Sequence, residues 1–439
     1  MGFKDLVITP IFLTLIYFTA FIVRPYLTDR RTKSFFIPAL TVKIIGAIAV
    51  GLIYQFYYDG GDTFTYFTHG SAHIYEAWLD DPLKAFQLIT ANGEYSPSIY
   101  LYASKIWLYR DQASYFVIRV AGILDIITFH TYSSTAVLFA VFAFSGSWAM
   151  YLTFYRIYPG LYRIMGWAIF FVPSVILWGS GLLKDTLTFG AVGWLTYAFY
   201  QFVILKRPGV VAITAGIASI FLLYQVKIYI LLSILPSLLL WWSVMTSKNI
   251  RSPFIRASLT PVLVVLTVVG SYFALARIGE SNRRYNLDQI AKTAEATARW
   301  LNYVSTVEEG SGYNLGDFDF TPMGMLRKSP QAVAVTLYRP FPWESNNILM
   351  LFSSIESFFT MILSLYILFK VGIMRTFRRI FTNPEVFFGL AFSIIFAFAI
   401  GISTYNFGSL VRYKIPLLPF YFIALAIIYY LPKRQRLKN

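Results

Sequence analysis

The sequence contains no cysteine and carries little charge. Without cysteine the chain has no disulfide, thiolate nucleophile, iron–sulfur cluster or cysteine zinc site. Its three histidines are too few for a multi-histidine di-iron membrane oxidase. Asp, Glu, Lys and Arg make up only 13% of the 439 residues, whereas a soluble domain carries roughly 25%. Lipid is therefore the expected main solvent of this chain.

Apolar and aromatic residues are abundant instead, at 57% and 19% of the chain. Tyr and Trp favour membrane interfaces, where the ring and its polar tip each find a suitable medium. The net charge is +16. The Lys and Arg residues lie in short loops beside apolar stretches, where anionic lipid attracts them. We therefore expect membrane lipids as partners and no nucleic acid.

Eleven apolar stretches approach the length of about 20 residues that crosses a bilayer. They are 7–24, 35–57, 134–155, 164–178, 186–205, 210–226, 228–245, 258–276, 347–370, 386–403 and 415–431. No A-x-A-like cleavage site follows the first, so we expect a retained span there. Between 96 and 130 the chain either crosses twice, as 96–110 and 113–130, or lies in the interface. The expected fold is an all-α polytopic membrane protein, a single membrane domain over 1–439 with 11–13 transmembrane helices.

Basic loops predict the orientation, because Lys and Arg favour the cytoplasmic side. The basic clusters are 24–33, 156–163, 206–207, 248–256, 370–379 and 433–438. Placing them in the cytoplasm puts the N-terminus outside and leaves two long external segments. These are the first external loop region, 58–112, and a large external loop, 277–346, with amphipathic helices expected at 284–304 and 329–337. We expect a bacterial inner-membrane protein whose active site faces the periplasm.

Two acidic residues follow an apolar span directly in YYDGGDTFTYF, residues 57–67. Asp59 and Asp62 are separated by two glycines, which let the backbone turn tightly beside a ligand. Such carboxylates can deprotonate a hydroxyl or bind a divalent cation, Mg²⁺ or Mn²⁺. The alternative is a solvated turn in which Asp62 is the N-cap of a helix. No other cofactor is expected.

Lys184 and Asp185 lie between two apolar stretches in PSVILWGSGLLKDTL, residues 173–187. A lysine at a helix start, beside unpaired backbone N–H groups, makes an anion site. We expect Asp185 to orient Lys184 for this role. The alternative is a short polar turn in which the two charges pair with each other.

Two later motifs also combine charge with a constrained backbone. Arg339 and Glu344 flank two prolines in YRPFPWE, residues 338–344, and are candidate substrate contacts or part of an interfacial anchor. Arg412 and Lys414 lie in a loop predicted to be outside, against the positive-inside rule. A bound phosphate or pyrophosphate would explain their retention, since Arg offers a fork of donors and Lys a point charge.

Weaker signals involve histidine and charge inside apolar segments. His69, His73 and Glu76 have spacings that place them on one helix face and are a weak metal-site candidate. Arg119 and Asp125 interrupt the apolar stretch 113–130. They are expected either to pair with each other or to line a cavity.

Through YYDGGDTFTY and the run PS-x-x-L-W-G-S-G-x-x-K-D, the sequence resembles the GT-C superfamily of integral-membrane glycosyltransferases. The resemblance implies a GT-C-like fold and transfer of a sugar from a polyprenyl-phosphate-linked donor to a hydroxyl of a glycan, lipid or protein. It assigns the family's essential loop acid to Asp59 or Asp62. Arg412, Lys414 and Lys184 would then hold the leaving phosphate. One departure is that this acidic loop follows the second span, whereas the family's follows the first.

Two other functions stay open. An O-antigen or exopolysaccharide polymerase or ligase is also polytopic with a large late external loop, but that ligase family uses a loop histidine and 277–346 has none. A flippase or transporter of lipid-linked glycans would carry charges deep inside its spans. The charges here are expected at one face, which favours an enzyme of polysaccharide or cell-envelope biosynthesis.

Overall fold

The computed structural model describes residues 2–248, 292, 294–301, 303, 312–316 and 318–435. These residues are almost entirely helical, and the one β feature among them is an isolated bridge between Gly312 and Asn406. The predicted span 258–276 and most of the helix predicted at 284–304 lie outside the described residues. The prediction of an all-α polytopic membrane protein is confirmed.

The described chain divides into two compact units, Met1–Ile228 and Tyr229–Asn439. The helices of unit 1 are α1 (Phe3–Leu27), α2 (Lys33–Phe56), α3 (Asp62–Tyr66), α4 (Ala72–Asp80), α5 (Pro82–Thr90), α6 (Tyr100–Ala103), α7 (Gln112–Thr128), α8 (Tyr132–Ile157), α9 (Tyr162–Phe170), α10 (Pro173–Trp178), α11 (Lys184–Phe199) and α12 (Val210–Val226). Two π-helical turns, Phe67–Ser71 and Tyr200–Ile204, and a 3₁₀ turn, Pro159–Leu161, complete it.

The helices of unit 2 for which the structure describes both ends follow α12. They are α13 (Ile228–Lys248), α14 (Pro322–Tyr338), α15 (Ile348–Val371), α16 (Ile373–Thr382), α17 (Pro384–Gly401), α18 (Phe407–Tyr413) and α19 (Leu418–Gln435), with a 3₁₀ turn at Pro342–Glu344. The helix predicted at 329–337 begins earlier than expected. Thr321 caps it by accepting a hydrogen bond from the Gly324 amide, and Pro322 occupies its first position.

Seven helices of the described chain are long and apolar enough to span a membrane, or eight if the bent pair α18–α19 is one span. The expected number, 11–13, is therefore not reached in the part of the chain that the structure describes. The stretch 164–178 forms α9 and α10 instead of one helix, because Pro173 starts a new helix. The stretch 210–226 is a 17-residue helix, and 96–130 contains no helix that passes as a span.

Close packing of α8 against α11 forms the centre of unit 1. A Cβ atom at Gly146 would lie 2.0 Å from the Gly190 carbonyl oxygen, and one at Gly193 would lie 2.1 Å from the Gly146 carbonyl oxygen. Only glycine allows this approach, and small residues at helix crossings are how membrane helices gain van der Waals contact. The crossing fixes where α11, and therefore Lys184 at its start, lies in unit 1.

One end of unit 1 collects the segments predicted to be outside. The Thr63 and Tyr132 hydroxyls are 2.7 Å apart, joining the start of α3 to the start of α8. Asp5, near the start of α1, accepts a hydrogen bond of 2.7 Å from the Ser133 amide. The starts of α1, α3 and α8 therefore share one end, as the loop charges predict.

Helix α7 lies along this same end instead of crossing. Lys184, at the start of α11, is 3.4 Å from Asp111, which caps the start of α7. At the other end of α7, Lys4 donates to the Phe129 carbonyl at 3.4 Å. Since both ends of α7 meet helix ends on the same side, the structure favours the interfacial alternative for 113–130.

The opposite end of unit 1 collects the basic loops. Phe35 packs edge-on against Tyr162, with ring centroids 6.4 Å apart. Trp148 donates to the Leu27 carbonyl at 3.4 Å. Residues 27–35 and 155–163 therefore meet, and the positive charges of these two loops lie on one side.

In unit 2, α17 packs against both α13 and α14. Trp241 stacks on Phe388 with centroids 4.8 Å apart. On another face, the Thr336 hydroxyl donates to the Ala397 carbonyl at 2.8 Å. The part of 277–346 that forms α14 is thus anchored along a membrane-spanning helix.

The predicted orientation can be tested with single cysteines, because the chain has none of its own. Tyr58→Cys and Trp343→Cys, at exposed positions, should react with an impermeant thiol reagent added to whole cells or spheroplasts. Arg31→Cys and Arg378→Cys, which are also exposed, should react only after the membrane is opened. Labelling of Arg378→Cys without labelling of Trp343→Cys would reverse the orientation of unit 2.

Candidate functional site

The acidic turn, residues 57–62, has an unusual backbone. Asp59, Gly60 and Gly61 have φ values of 50°, 129° and 110°, so three consecutive residues are left-handed. A Cβ atom at Gly61 would lie 2.7 Å from the Tyr54 ring, which requires glycine there. Asp59 and Asp62 are both exposed. Gly61 occupies the N-cap position of α3 and Asp62 is its first residue, so the alternative of Asp62 as the N-cap is wrong.

Tyr54 connects this turn to the second motif. Its ring packs edge-on against Trp178, with centroids 6.4 Å apart. One turn before Tyr54 in α2, Val50 fills the space beside Gly181. A Cβ atom at Gly181 would lie 2.6 Å from the valine side chain. The two segments that carry the family resemblance, 57–67 and 173–185, therefore lie side by side in unit 1.

A buried lysine that was not among the predicted site residues binds the backbone of the second motif. Lys43 has no exposed surface and donates to the carbonyl oxygens of Val175 and Gly179, each at 2.9 Å. Its ammonium also lies 4.5 Å from the centre of the Phe189 ring. It thus satisfies carbonyls left unpaired where α10 ends. The sequence feature that could have identified this residue is a lysine in the middle of an apolar span, since such a lysine marks a functional or structural site.

Lys184 and Asp185 have separate partners. Lys184 pairs with Asp111, and Asp185 forms a buried ion pair with Lys227. The expectation that Asp185 orients Lys184 is wrong, because consecutive residues on a helix point about 100° apart. Burial raises the pKa of Asp111, but hydrogen bonds from Ser114 and the charge of Lys184 outweigh it and hold that pKa below its usual value. Lys184 is therefore held at the start of α11 by a carboxylate from another segment.

The weak metal candidate is explained by other contacts. His69 stacks on Trp107 with centroids 3.7 Å apart. His73 lies 3.1 Å from Glu76, which also binds Lys105 at 2.9 Å. In the residues that the structure describes, no three His, Asp or Glu side chains gather as a metal site, and this includes the surroundings of Asp59 and Asp62.

The other pair predicted inside an apolar stretch does not form. Arg119 donates to the carbonyl oxygens of Ile89 and Ala91 at 3.4 and 3.3 Å. Asp125 instead lies 3.0 Å from His130 and is buried. Both side chains therefore hold neighbouring loops in place.

In unit 2, Arg339 and Glu344 bind each other. Arg339 Nε donates to Glu344 Oε2 at 3.0 Å, and its Nη2 pairs with Oε1. The Phe341 amide donates to the same carboxylate at 2.7 Å. Burial raises the pKa of Glu344, but these hydrogen bonds outweigh it and hold the pKa below its usual value. The pair closes the turn between α14 and α15.

Lys414 lies inside unit 2 and not at its surface. It is 1% exposed, and its ammonium donates to the Ser357 hydroxyl at 2.7 Å and to the Arg339 carbonyl at 3.3 Å. Arg412 is half-buried in the last turn of α18. Phosphate binding by Arg412 and Lys414 stays a prediction, but a ligand of Lys414 has to enter the interior.

A cleft of about 540 Å³ lies beside this turn in unit 2. Its wall is formed by Asn314, Leu315, Gly316, Gln331, Ala334, Val335, Tyr338, Arg339, Phe341 and Met361. Lys328 fixes one rim by donating to the Leu315 carbonyl at 2.6 Å, and Tyr313 fixes it again by donating to the Gly401 carbonyl at 2.8 Å. The lining thus combines apolar side chains with amide groups and the Arg339 side chain.

The low pKa of Glu344 predicts how its ion pair depends on pH. Glu344→Gln should lower the melting temperature at neutral pH, because it removes the partner of a half-buried guanidinium. The folded-state pKa lies below the usual value of 4.5, so this stabilisation is present above pH 4.5 and is lost as pH falls through the lowered pKa. A difference in melting temperature between variant and wild type that stays constant down to acidic pH would contradict this role.

Comparisons with known proteins provide no further guide to the site. No protein-family model, curated protein or solved structure matches this chain. The resemblance to GT-C glycosyltransferases therefore rests on the two sequence motifs of unit 1.

Proposed function

We propose that this protein is a membrane glycosyltransferase of the GT-C kind. It would move a sugar from a polyprenyl-phosphate-linked donor to a hydroxyl of a glycan, lipid or protein on the periplasmic face of the bacterial inner membrane. The observation that carries the proposal is the contact between Tyr54 and Trp178, since it brings together the two segments on which the resemblance rests.

The proposed reaction needs a base and a cation. Asp59 or Asp62 takes the proton of the acceptor hydroxyl while the hydroxyl oxygen attacks the anomeric carbon of the donor sugar. The bond between that carbon and the phosphate oxygen breaks, and the polyprenyl phosphate leaves with the electron pair. Lys184 stabilises the charge on this leaving group. A divalent cation held by Asp59 and Asp62 stays a prediction, since Mg²⁺ commonly binds one or two carboxylates and completes its shell with water and substrate phosphate.

Buried charge supports a second candidate, a flippase of lipid-linked glycans. Lys43 is fully buried in the middle of α2, and in unit 2 Lys414 and Glu356 are 1% and 9% exposed. The charge pattern of the sequence predicted charge at one face only. Ionisable groups inside a membrane protein mark substrate pathways as well as structural contacts, so this observation favours the transporter more than the sequence did.

One assay separates the candidates. The purified protein is reconstituted in liposomes with a radiolabelled polyprenyl-phosphate sugar and an acceptor-containing membrane extract. A glycosyltransferase releases polyprenyl phosphate and labels the acceptor, whereas a flippase moves the donor between leaflets with its sugar still attached. A polymerase or ligase leaves this donor unchanged and consumes only a lipid-pyrophosphate oligosaccharide. Movement of intact donor with no labelled acceptor would overturn the glycosyltransferase proposal.

A further inference from the structure

Helix α16, with the sequence IMRTFRRIFT, differs from every span of the chain. It has 10 residues, too few to cross a bilayer. Gly372, with φ of 88°, separates it from α15, and Asn383 separates it from α17. The chain thus leaves one membrane-spanning helix, forms a short separate helix, and enters the next.

One arc of α16 is apolar and exposed. At about 100° per residue, Ile373, Met374, Phe377 and Phe381 fall within one quarter-turn or slightly more. Their exposed fractions are 59%, 82%, 54% and 64%. A water-facing surface exposes large apolar side chains singly, whereas here four of them are exposed together on one arc. In a membrane protein, lipid acyl chains are the medium that suits this arc.

A different arc attaches α16 to unit 2. Thr376 is buried, and Arg379 donates to the Ile428 carbonyl of α19 at 2.7 Å. This contact fixes the rotation of the helix, so its exposed apolar arc does not face the rest of the unit.

The third arc is basic. Arg375 and Arg378 are exposed on it, beside the anchored Arg379. The helix contains no acidic residue, and within the described residues no carboxylate pairs with Arg375 or Arg378. Like charges three and four residues apart destabilise a helix. A bound anion would remove this repulsion.

We propose that α16 lies in the plane of the membrane surface and binds an anionic phospholipid. Arg375 and Arg378 contact the headgroup phosphate, and Phe377 and Phe381 contact the acyl chains. A helix with an apolar aromatic arc beside an arginine arc has the composition of an interfacial lipid-binding helix. Lipid is favoured over a soluble anion because the apolar arc adjoins the basic one and needs an acyl partner.

The test uses the full chain and two defined lipids. Native mass spectrometry of the detergent-purified protein measures the dissociation constants of phosphatidylglycerol and phosphatidylcholine. Wild type should prefer phosphatidylglycerol. R375Q/R378Q should weaken phosphatidylglycerol binding by about thirtyfold, since each basic residue at an anionic surface contributes about 1 kcal/mol. Its phosphatidylcholine binding should weaken much less, because that headgroup carries no net charge, and its melting temperature should not fall, because the substitutions also remove the repulsion along α16.

Two further samples distinguish the source of the effect. F377S/F381S removes acyl contacts and should weaken binding of both lipids by similar factors. An excess of inorganic phosphate should not displace phosphatidylglycerol from wild type. An unchanged preference in R375Q/R378Q would overturn the proposal, and so would full displacement by inorganic phosphate, which would identify a site for a soluble anion.

Discussion

Replacing the carboxylate that we propose as the base, through Asp59→Asn or Asp62→Asn, should lower sugar transfer by roughly a hundredfold or more, because a positioned general base contributes about that factor. Asn keeps the shape of Asp and accepts left-handed backbone conformations, so the turn with φ of 50° at Asp59 should persist. Transfer rates of the two variants in liposomes identify which carboxylate is the base.

A matched control is available in the same predicted external loop region, 58–112. Glu94 is exposed on a loop of unit 1, and Glu94→Gln removes one negative charge as the Asp→Asn variants do. Its transfer rate should stay close to that of wild type. Near-normal transfer by both Asp59→Asn and Asp62→Asn, with unchanged melting temperatures, would show that neither carboxylate is the base. The turn would then be a structural connection between α2 and α3.

Long apolar stretches were predictable because hydropathy and length are enough to identify a span. Helices α1, α2, α8 and α15 match stretches read from the sequence. Interruptions were harder to predict. The break before Pro173 lies inside an apolar stretch, and the proline that starts the new helix was a local signal for it. The bend of 65° between α18 and α19 lies at the edge of the predicted span 415–431, because the segment with Arg412 that was predicted as a loop forms α18.

The sequence was enough to predict which types of residue form the candidate site. It was not enough to predict which residues contact one another. The glycines of the acidic turn predicted a tight turn, and the structure has positive φ values at Gly60 and Gly61. The partners of charged residues are set by packing over long separations in sequence. Lys43 binds carbonyl oxygens more than 130 positions away, and Asp185 binds Lys227 instead of the adjacent lysine. No local pattern encodes such pairs.

The ion pair between Asp185 and Lys227 predicts the largest loss of stability. Its side chains are 1% and 7% exposed. Lys227→Met leaves the Asp185 carboxylate without its cation in a buried position. Breaking a buried pair in this way costs about 3–5 kcal/mol, because the remaining charge keeps its desolvation penalty. Unfolding by titration of denaturing detergent into mixed micelles measures the change in free energy.

The neighbouring lysine provides the comparison. Lys184→Met removes an equal charge one residue from Asp185, but its partner Asp111 is 47% exposed and lies 3.4 Å away. An exposed pair contributes about 0–1 kcal/mol, so this variant should unfold almost as wild type does. The double variant D185N/K227M removes both charges and should recover much of the stability lost in Lys227→Met. Equal losses of unfolding free energy in Lys184→Met and Lys227→Met would mean that the buried pair contributes no more to stability than the exposed one. A double variant less stable than Lys227→Met would mean that Asp185 stabilises the start of α11 through contacts other than its ion pair.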